Sequence, residues 1–99
     1  MDAPISGFEW DESNCEHCRK HGVSSAETEG LFTQPIILLP DPAPTEERHR
    51  AIGRTRHGRP LFIVFTIRER DGQKYIRPVS ARYMHKEEID YYEKENPEF

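Results

Sequence analysis

The chain has 99 residues, of which 34% are apolar and 10% aromatic, so it can bury one modest core. Its 18 acidic and 14 basic residues give a net charge of −4, and no apolar run approaches the roughly 20 residues of a membrane-spanning helix. We expect a single domain over residues 1–99. The opening MDAPISGFEWDE is acidic and lacks the apolar segment of a secretory signal, which predicts a cytoplasmic protein without a membrane partner.

Two short helices are predicted in the first third of the chain. Asp11 is typical of a helix N-cap, and Gly22 is typical of the residue that follows a helix end. Ser24 with Glu27 three residues later has the spacing of a capping box, in which each side chain bonds the other residue's backbone N–H. Pro35 prevents this second helix from continuing.

The remainder reads as strands followed by one helix. Residues 7–11 form either a short strand or the entrance to the first helix, and Asp71 with Gly72 supplies a tight turn. The sum is an α+β fold with two N-terminal helices, an antiparallel sheet of about four strands and a C-terminal helix. The predicted strands are residues 36–39, 48–56, 60–69 and 74–80, and the predicted last helix is 85–95.

The longest predicted strand, residues 60–69, has apolar residues on both faces along its first half. We therefore expect it to be central in the sheet and covered on both sides there. From Thr66 onward one face turns polar, and we expect that face to open into a basic groove. Pro78 cannot donate a hydrogen bond to a neighbouring strand, which predicts a sheet edge or a β-bulge at this position.

Positive charge is concentrated in the middle of the chain. Residues 1–45 carry two basic and eight acidic residues, and residues 87–99 carry one and six, giving −6 and −5. Residues 46–86 carry eleven basic residues against four acids, a net charge of +7, and nine of the eleven are arginines. The planar fork of an arginine matches two phosphate oxygens at once. The segment therefore predicts a nucleic-acid groove, with a merely solvated sheet face as the alternative.

A structural zinc site usually has four protein ligands, often in two pairs. Cys15 and Cys18 are the two cysteines of the chain and supply only one such pair. His21, or His17 with a distant histidine, would have to complete a metal site. We favour the alternative in which Cys18 faces the core from a helix and Cys15 lies one turn away. No metal and no cofactor is expected.

Four stretches in order resemble the BrnT family of bacterial toxins: FEWD…KHGVS, ER…AIG, FTIRERDG…YIRPVSAR and E…YYE, over residues 8–93. BrnT proteins are the toxin halves of type II toxin–antitoxin pairs. The resemblance implies a RelE/ParE-like fold, ribonuclease activity that halts translation, and a BrnA-like antitoxin through which alone operator DNA is contacted. Unlike the arginine-rich end common in that family, the stretch after Arg82 is acidic here.

Metal-independent RNA cleavage lets the ribose 2′-OH attack the adjacent phosphate. It needs a base, an acid and cations that stabilise the extra charge. Histidine suits the first two roles and arginine the third. His21, at the predicted end of the first helix, is our candidate acid or base, with a capping role as the alternative.

The remaining candidates are cationic or aromatic. The other predicted catalytic residues are Arg48, Arg77 and Arg82, and the predicted RNA-binding residues are Lys20, Arg68 and Tyr83. Arg48 follows Glu47 as in the family's Glu-Arg pair, and Tyr83 could stack on a base. Glu88, three residues after His85, is expected to be a capping acid of the last helix.

The sequence thus supports three hypotheses. The first is a metal-independent endoribonuclease toxin that acts on RNA and is neutralised by an antitoxin covering the basic groove. The second is a catalytically inactive relative that binds antitoxin as a co-repressor. The third is a small metal-binding regulator that uses Cys15, Cys18 and His21.

Overall fold

The computed structural model describes residues 5–42, 46–97 and 99. None of the helices in these ranges is long and apolar enough to cross a bilayer. One five-stranded sheet has the strand order β1-β5-β4-β3-β2. The elements are β1 (Ile5–Phe8), α1 (Glu12–Lys20), α2 (Ser25–Leu31), β2 (Ile37–Asp41), β3 (Arg48–Arg54), β4 (Pro60–Arg70), β5 (Gln73–Tyr83) and α3 (Lys86–Glu95).

The predicted α+β class with two N-terminal helices and a C-terminal helix is confirmed. The sheet is mixed, however, with five strands where we expected about four antiparallel ones. The extra strand is β1, which pairs in parallel with β5 so that Phe8 lies opposite Ile76. The stretch 7–11 therefore serves both of its predicted roles, because its first residues end β1 and Asp11 caps α1.

The helix ends follow the predicted capping signals. The Asp11 carboxylate accepts a hydrogen bond from the backbone N–H of Asn14 at 3.0 Å, and the Asn14 side-chain oxygen accepts from the backbone N–H of Asp11 at 2.7 Å. Ser24 Oγ accepts from the backbone N–H of Glu27 at 3.0 Å, as predicted. The Glu27 carboxylate does not return to Ser24 and instead accepts from the Tyr83 hydroxyl at 2.7 Å.

The apolar core lies on one face of the sheet, beneath α1 and α2. Cys18 of α1 and Leu31 of α2 are 1% and 0% exposed and belong to this core. The central position of β4 is as predicted. The core residues are Cys18, Val23, Leu31, Ala51, Leu61, Ile63, Phe65, Ile76 and Ala81.

A β-bulge interrupts β5 at the predicted proline. Val64 of β4 lies opposite Ser80, whereas the next residue, Phe65, lies opposite Pro78, so Val79 is the extra residue. Of the two alternatives expected at Pro78, a sheet edge or a β-bulge, the structure shows the bulge, because β5 lies between β1 and β4. Side chains alternate between the two faces of a sheet, so one extra residue moves every later side chain of β5 to the face opposite the one expected from regular alternation.

Asn14 joins α1 to the sheet at this bulge. The backbone N–H of Glu9, just after β1, donates to the carbonyl of Ile76 in β5 at 2.8 Å. This bond ends the pairing of β1 with β5 before α1 begins. The Asn14 side-chain amide then donates to the carbonyl of Pro78 at 2.9 Å and to that of Glu9 at 3.0 Å. Asn14 is only 4% exposed, so bulk water cannot reach these two carbonyls and the Asn14 amide is their hydrogen-bond donor.

We predict that Asn14→Ala lowers the free energy of unfolding by about 2–3 kcal/mol, because it removes the Asn14 half of the capping box and leaves a buried carbonyl without a donor. Urea unfolding of the purified chain measures this difference. Ser13→Ala, one residue earlier on the same helix and exposed, is the matched control and should change the value by less than about 0.5 kcal/mol. Equal effects of the two substitutions would contradict the role assigned to Asn14.

Candidate functional site

Seven arginines lie on the sheet face opposite the core. Leu61, Ile63 and Phe65 of β4 point into the core, so the alternate residues of that strand belong to the other face. Residues directly opposite one another in the sheet share a face, which assigns the arginines of β3 and β5 as well. We call this surface the arginine face, and its arginines are Arg48, Arg50, Arg54, Arg68, Arg70, Arg77 and Arg82.

The bulge is what brings Arg77 and Arg82 to the same face. They are five residues apart, and in a regular strand an odd spacing places side chains on opposite faces. With Val79 as the extra residue, Arg77 lies opposite Thr66 and Arg82 opposite Phe62, and both of these β4 residues belong to the arginine face.

A polar hollow of about 280 Å³ lies at one end of the arginine face. It combines three of the predicted site residues with a histidine of α1. His17 lies one helical turn after Asn14, so the contact of Asn14 with the bulge also determines where His17 stands. The residues that line the polar hollow are Ser13, Asn14, His17, Glu46, Arg48, Arg68, Arg77 and Val79.

Arg77 is the most constrained cation of the polar hollow. Its side chain is 18% exposed and contacts Asp11 at 2.8 Å and Glu9 at 3.4 Å. The backbone N–H of Asn14 and then the Arg77 guanidinium lower the pKa of Asp11. The contacts with Asp11 and Glu9 therefore hold the Arg77 guanidinium in one position.

Arg48 and Arg68 are more available to an anion. Arg48 contacts Glu46 at 2.8 Å, but both side chains are about one-third exposed, at 35% and 37%. Such a surface ion pair contributes only about 0–1 kcal/mol, so a phosphate can replace Glu46 at little cost. Arg68 is exposed and makes no ion pair with any residue of the described ranges.

Arg82 lies on the same face but outside the polar hollow, beside α3. Its guanidinium makes two parallel hydrogen bonds to Glu88, of 2.8 and 2.9 Å, and lies 4.4 Å from the centre of the Phe62 ring. This contact lowers the pKa of Glu88 to about 2 and raises the pKa of Arg82. Glu88 also accepts from the backbone N–H of His85 at 2.9 Å, which confirms its predicted capping role.

His21 occupies its predicted place at the end of α1, where its backbone N–H bonds the carbonyls of the last turn. It is exposed and does not line the polar hollow. Its ring lies 5.9 Å from that of His17, in an edge-on arrangement. The cysteine spacing indicates His17 only as a metal ligand, whereas its spacing of three from Asn14 and four from His21 places all three on one helix face.

Two predicted RNA-binding residues lie away from the polar hollow. Tyr83 is opposite Leu61 and so belongs to the core face. Its hydroxyl bonds Glu27, and the Arg59 guanidinium covers its ring at 4.2 Å. Burial, and then Glu27, raise the pKa of Tyr83. Lys20 is exposed at the last position of α1.

The cysteines have the arrangement that we favoured. Cys18 is in the core, and burial followed by the proximity of Cys15 raises its pKa to about 11, so it remains a thiol at neutral pH. Cys15 is half-buried and receives only a long contact of 3.8 Å from Arg19. Within residues 5–42, 46–97 and 99, no three His, Cys, Asp or Glu side chains are grouped as metal ligands.

An apolar groove of about 570 Å³ on the core side has a different character. Its lining includes Ile5, Leu38 and Ile67, three exposed large apolar side chains, with His49 and Glu29 as its titratable groups. It contains no arginine or lysine. It therefore offers little to a phosphate, and the polar hollow is the candidate functional site.

Because the Arg82 guanidinium lowers the pKa of Glu88, we predict that Glu88→Gln costs about 1 kcal/mol of unfolding free energy at pH 7. A carboxylate with a lowered pKa stabilises the fold above its ordinary value, here 4.5, and loses this effect as pH falls toward 2. The difference between wild type and Glu88→Gln should therefore shrink between pH 4.5 and pH 2. Urea unfolding at several pH values measures it.

The matched control is Glu87→Gln, which removes the same charge from the exposed neighbouring position. We expect it to change the free energy of unfolding little at any of these pH values. A difference between wild type and Glu88→Gln that stays constant as pH falls would contradict the assigned ion pair.

A family model described as "Ribonuclease toxin, BrnT, of type II toxin-antitoxin system" matches residues 10–88. The match includes α1, the whole arginine face and Glu88, and it ends within α3. A search of curated proteins gave no match.

Proposed function

Because the chain belongs to the BrnT family of ribonuclease toxins from type II toxin–antitoxin systems, we propose that its polar hollow cleaves RNA without a metal ion and so inhibits translation in the cytoplasm. A toxin of this type has an antitoxin partner. We propose a BrnA-like antitoxin that covers the arginine face and alone contacts operator DNA. The observation that carries the proposal is the grouping of His17 with Arg48, Arg68 and Arg77 around one hollow.

The proposed reaction is an internal transfer of the phosphate. The ribose 2′-oxygen forms a bond to phosphorus while the bond from phosphorus to the 5′-oxygen breaks, which leaves a 2′,3′-cyclic phosphate and a free 5′-hydroxyl. One proton leaves the 2′-oxygen and another is given to the 5′-oxygen. The two negative charges that build up on the phosphate oxygens need cations close by.

The histidine and the arginines of the polar hollow then have distinct roles. His17 exchanges the proton at the reacting phosphate, since it is the histidine that lines the hollow. His21, whose ring is 5.9 Å from that of His17, is the candidate second proton-transfer group. Arg48 and Arg68 bind the phosphate oxygens, and Arg77, held by Asp11 and Glu9, supplies a fixed charge behind them.

One observation favours the inactive co-repressor as a second candidate. Six of the seven arginines of the arginine face already contact a carboxylate, and Arg68 is the exception within the described ranges. A face neutralised in this way binds RNA less strongly than its arginine content alone predicts. A purified chain that leaves RNA intact but binds antitoxin, and operator DNA together with it, would favour this candidate.

For the enzyme, we predict that His17→Ala lowers the rate of RNA cleavage by about 100-fold or more, because proton transfer by a positioned side chain contributes roughly that factor. His21→Ala, on the same helix, should lower it by about tenfold or less. Cleavage of a labelled RNA by the purified variants measures the rates, and relief of growth arrest on induced expression is the cellular counterpart. Full activity of His17→Ala alongside inactive His21→Ala would instead assign proton transfer to the helix end.

We also predict that Arg68→Gln lowers kcat/KM for RNA about tenfold, because a charged contact to phosphate is lost. Arg56→Gln is the matched control, since Arg56 is also an exposed arginine and lies in the turn between β3 and β4. It should retain kcat/KM within about twofold. If both substitutions reduce kcat/KM equally, general charge attraction explains the effect and the specific contact is ruled out.

A further inference from the structure

The C-terminal helix places two carboxylates against the arginine face. Glu88 makes two hydrogen bonds to Arg82, at 2.8 and 2.9 Å, and Glu93 contacts Arg54 at 3.4 Å. The segment 87–99 carries six acidic residues and one lysine. It thus presents to these arginines the same kind of charge that an RNA backbone would present.

Beneath these contacts lies an aromatic ring flanked by cations. Phe62 is half-buried on the arginine face, with the Arg82 guanidinium 4.4 Å and the Arg50 guanidinium 5.5 Å from its ring centre. Proteins that bind single-stranded nucleic acid combine these two features, because a base stacks on the ring while arginines hold the flanking phosphates.

The charged contacts of the helix α3 are weak. None of its residues is buried. The side chains of the Arg82–Glu88 pair are 34% and 28% exposed, and those of the Arg54–Glu93 pair are 33% and 51% exposed. A further contact is that of the Phe99 ring, 5.0 Å from the Arg54 guanidinium. Partly exposed ion pairs of this kind exchange readily for competing phosphates.

We propose that Phe62, with Arg50, Arg54 and Arg82, forms a second RNA-binding subsite that stacks one base of a single strand, and that α3 covers it through Glu88 and Glu93. The helix is then an internal competitor of RNA. The proposal rests on the proposed function in that its ligand is RNA. Arg48 of the polar hollow and Arg50 of the subsite are two residues apart on one strand face, roughly 7 Å, so one RNA strand can reach both.

The test measures binding of a fluorescent single-stranded 2′-O-methyl oligonucleotide to the full chain at fixed salt. This probe lacks the attacking hydroxyl, so the result does not depend on whether the chain cleaves RNA. Glu88→Gln/Glu93→Gln should lower Kd about tenfold, because two competing carboxylates lose their charge. Glu87→Gln/Asp90→Asn removes the same charge from α3 at exposed positions without an arginine partner among the described residues, and should lower Kd about twofold or less.

Phe62→Leu separates stacking from charge. In that background the tenfold gain should fall to the level of the control pair, since leucine has no ring on which a base can stack. Equal gains from the two pairs of substitutions, no gain from either, or a full gain with Phe62→Leu would each overturn the proposal. If Glu88→Gln/Glu93→Gln loses its circular dichroism signal, Glu93→Gln alone keeps the helix cap and should lower Kd about threefold.

Discussion

The contact between the Asn14 side chain and the β-bulge of β5 determines the arrangement of the whole site. Pairing with β1 along that edge of β5 reaches Ile76, and the carbonyl of Pro78 would otherwise lie buried without a donor. Asn14 supplies that donor while its oxygen caps the helix that it belongs to. The start of α1 is therefore fixed against the sheet edge, and His17, one turn later, is brought to the arginines. The same bulge places Arg77 and Arg82 on one face, so a single irregularity serves both helix docking and charge convergence.

Charge balance explains how an acidic chain can present an arginine face. The acids that contact these arginines come from several elements: Asp41 from β2, Asp11 from the start of α1, and Glu88 and Glu93 from α3. Partly exposed pairs of this kind add only about 0–1 kcal/mol each, but together they neutralise the arginines of the folded surface. A ligand with closely spaced phosphates can replace several of these carboxylates together, whereas a single small anion replaces one. Under the proposed function, this arrangement favours an extended RNA strand over an isolated phosphate.

Local signals in the sequence predicted the parts of the fold that depend on neighbouring residues. The caps at Asp11 and Ser24 and the bulge at Pro78 depend on short-range chemistry, and all three are present. The pairing of β1 could not be predicted, because a four-residue strand has too short a pattern and its partner lies more than 60 residues away. The choice between His17 and His21 also depended on how α1 meets the sheet. Alternation alone would have separated Arg77 from Arg82, since only the register of the bulge restores them to one face.

The proposed function depends most on where RNA would contact the chain. The direct measurement is a side-chain NMR titration of the labelled protein with a non-cleavable 2′-O-methyl oligonucleotide, following arginine and histidine signals. The account predicts saturable shifts of His17, Arg48 and Arg68, while Arg56 on the distant turn stays unchanged. Shifts spread evenly over all arginines, or confined to Lys20 and Tyr83, would contradict it.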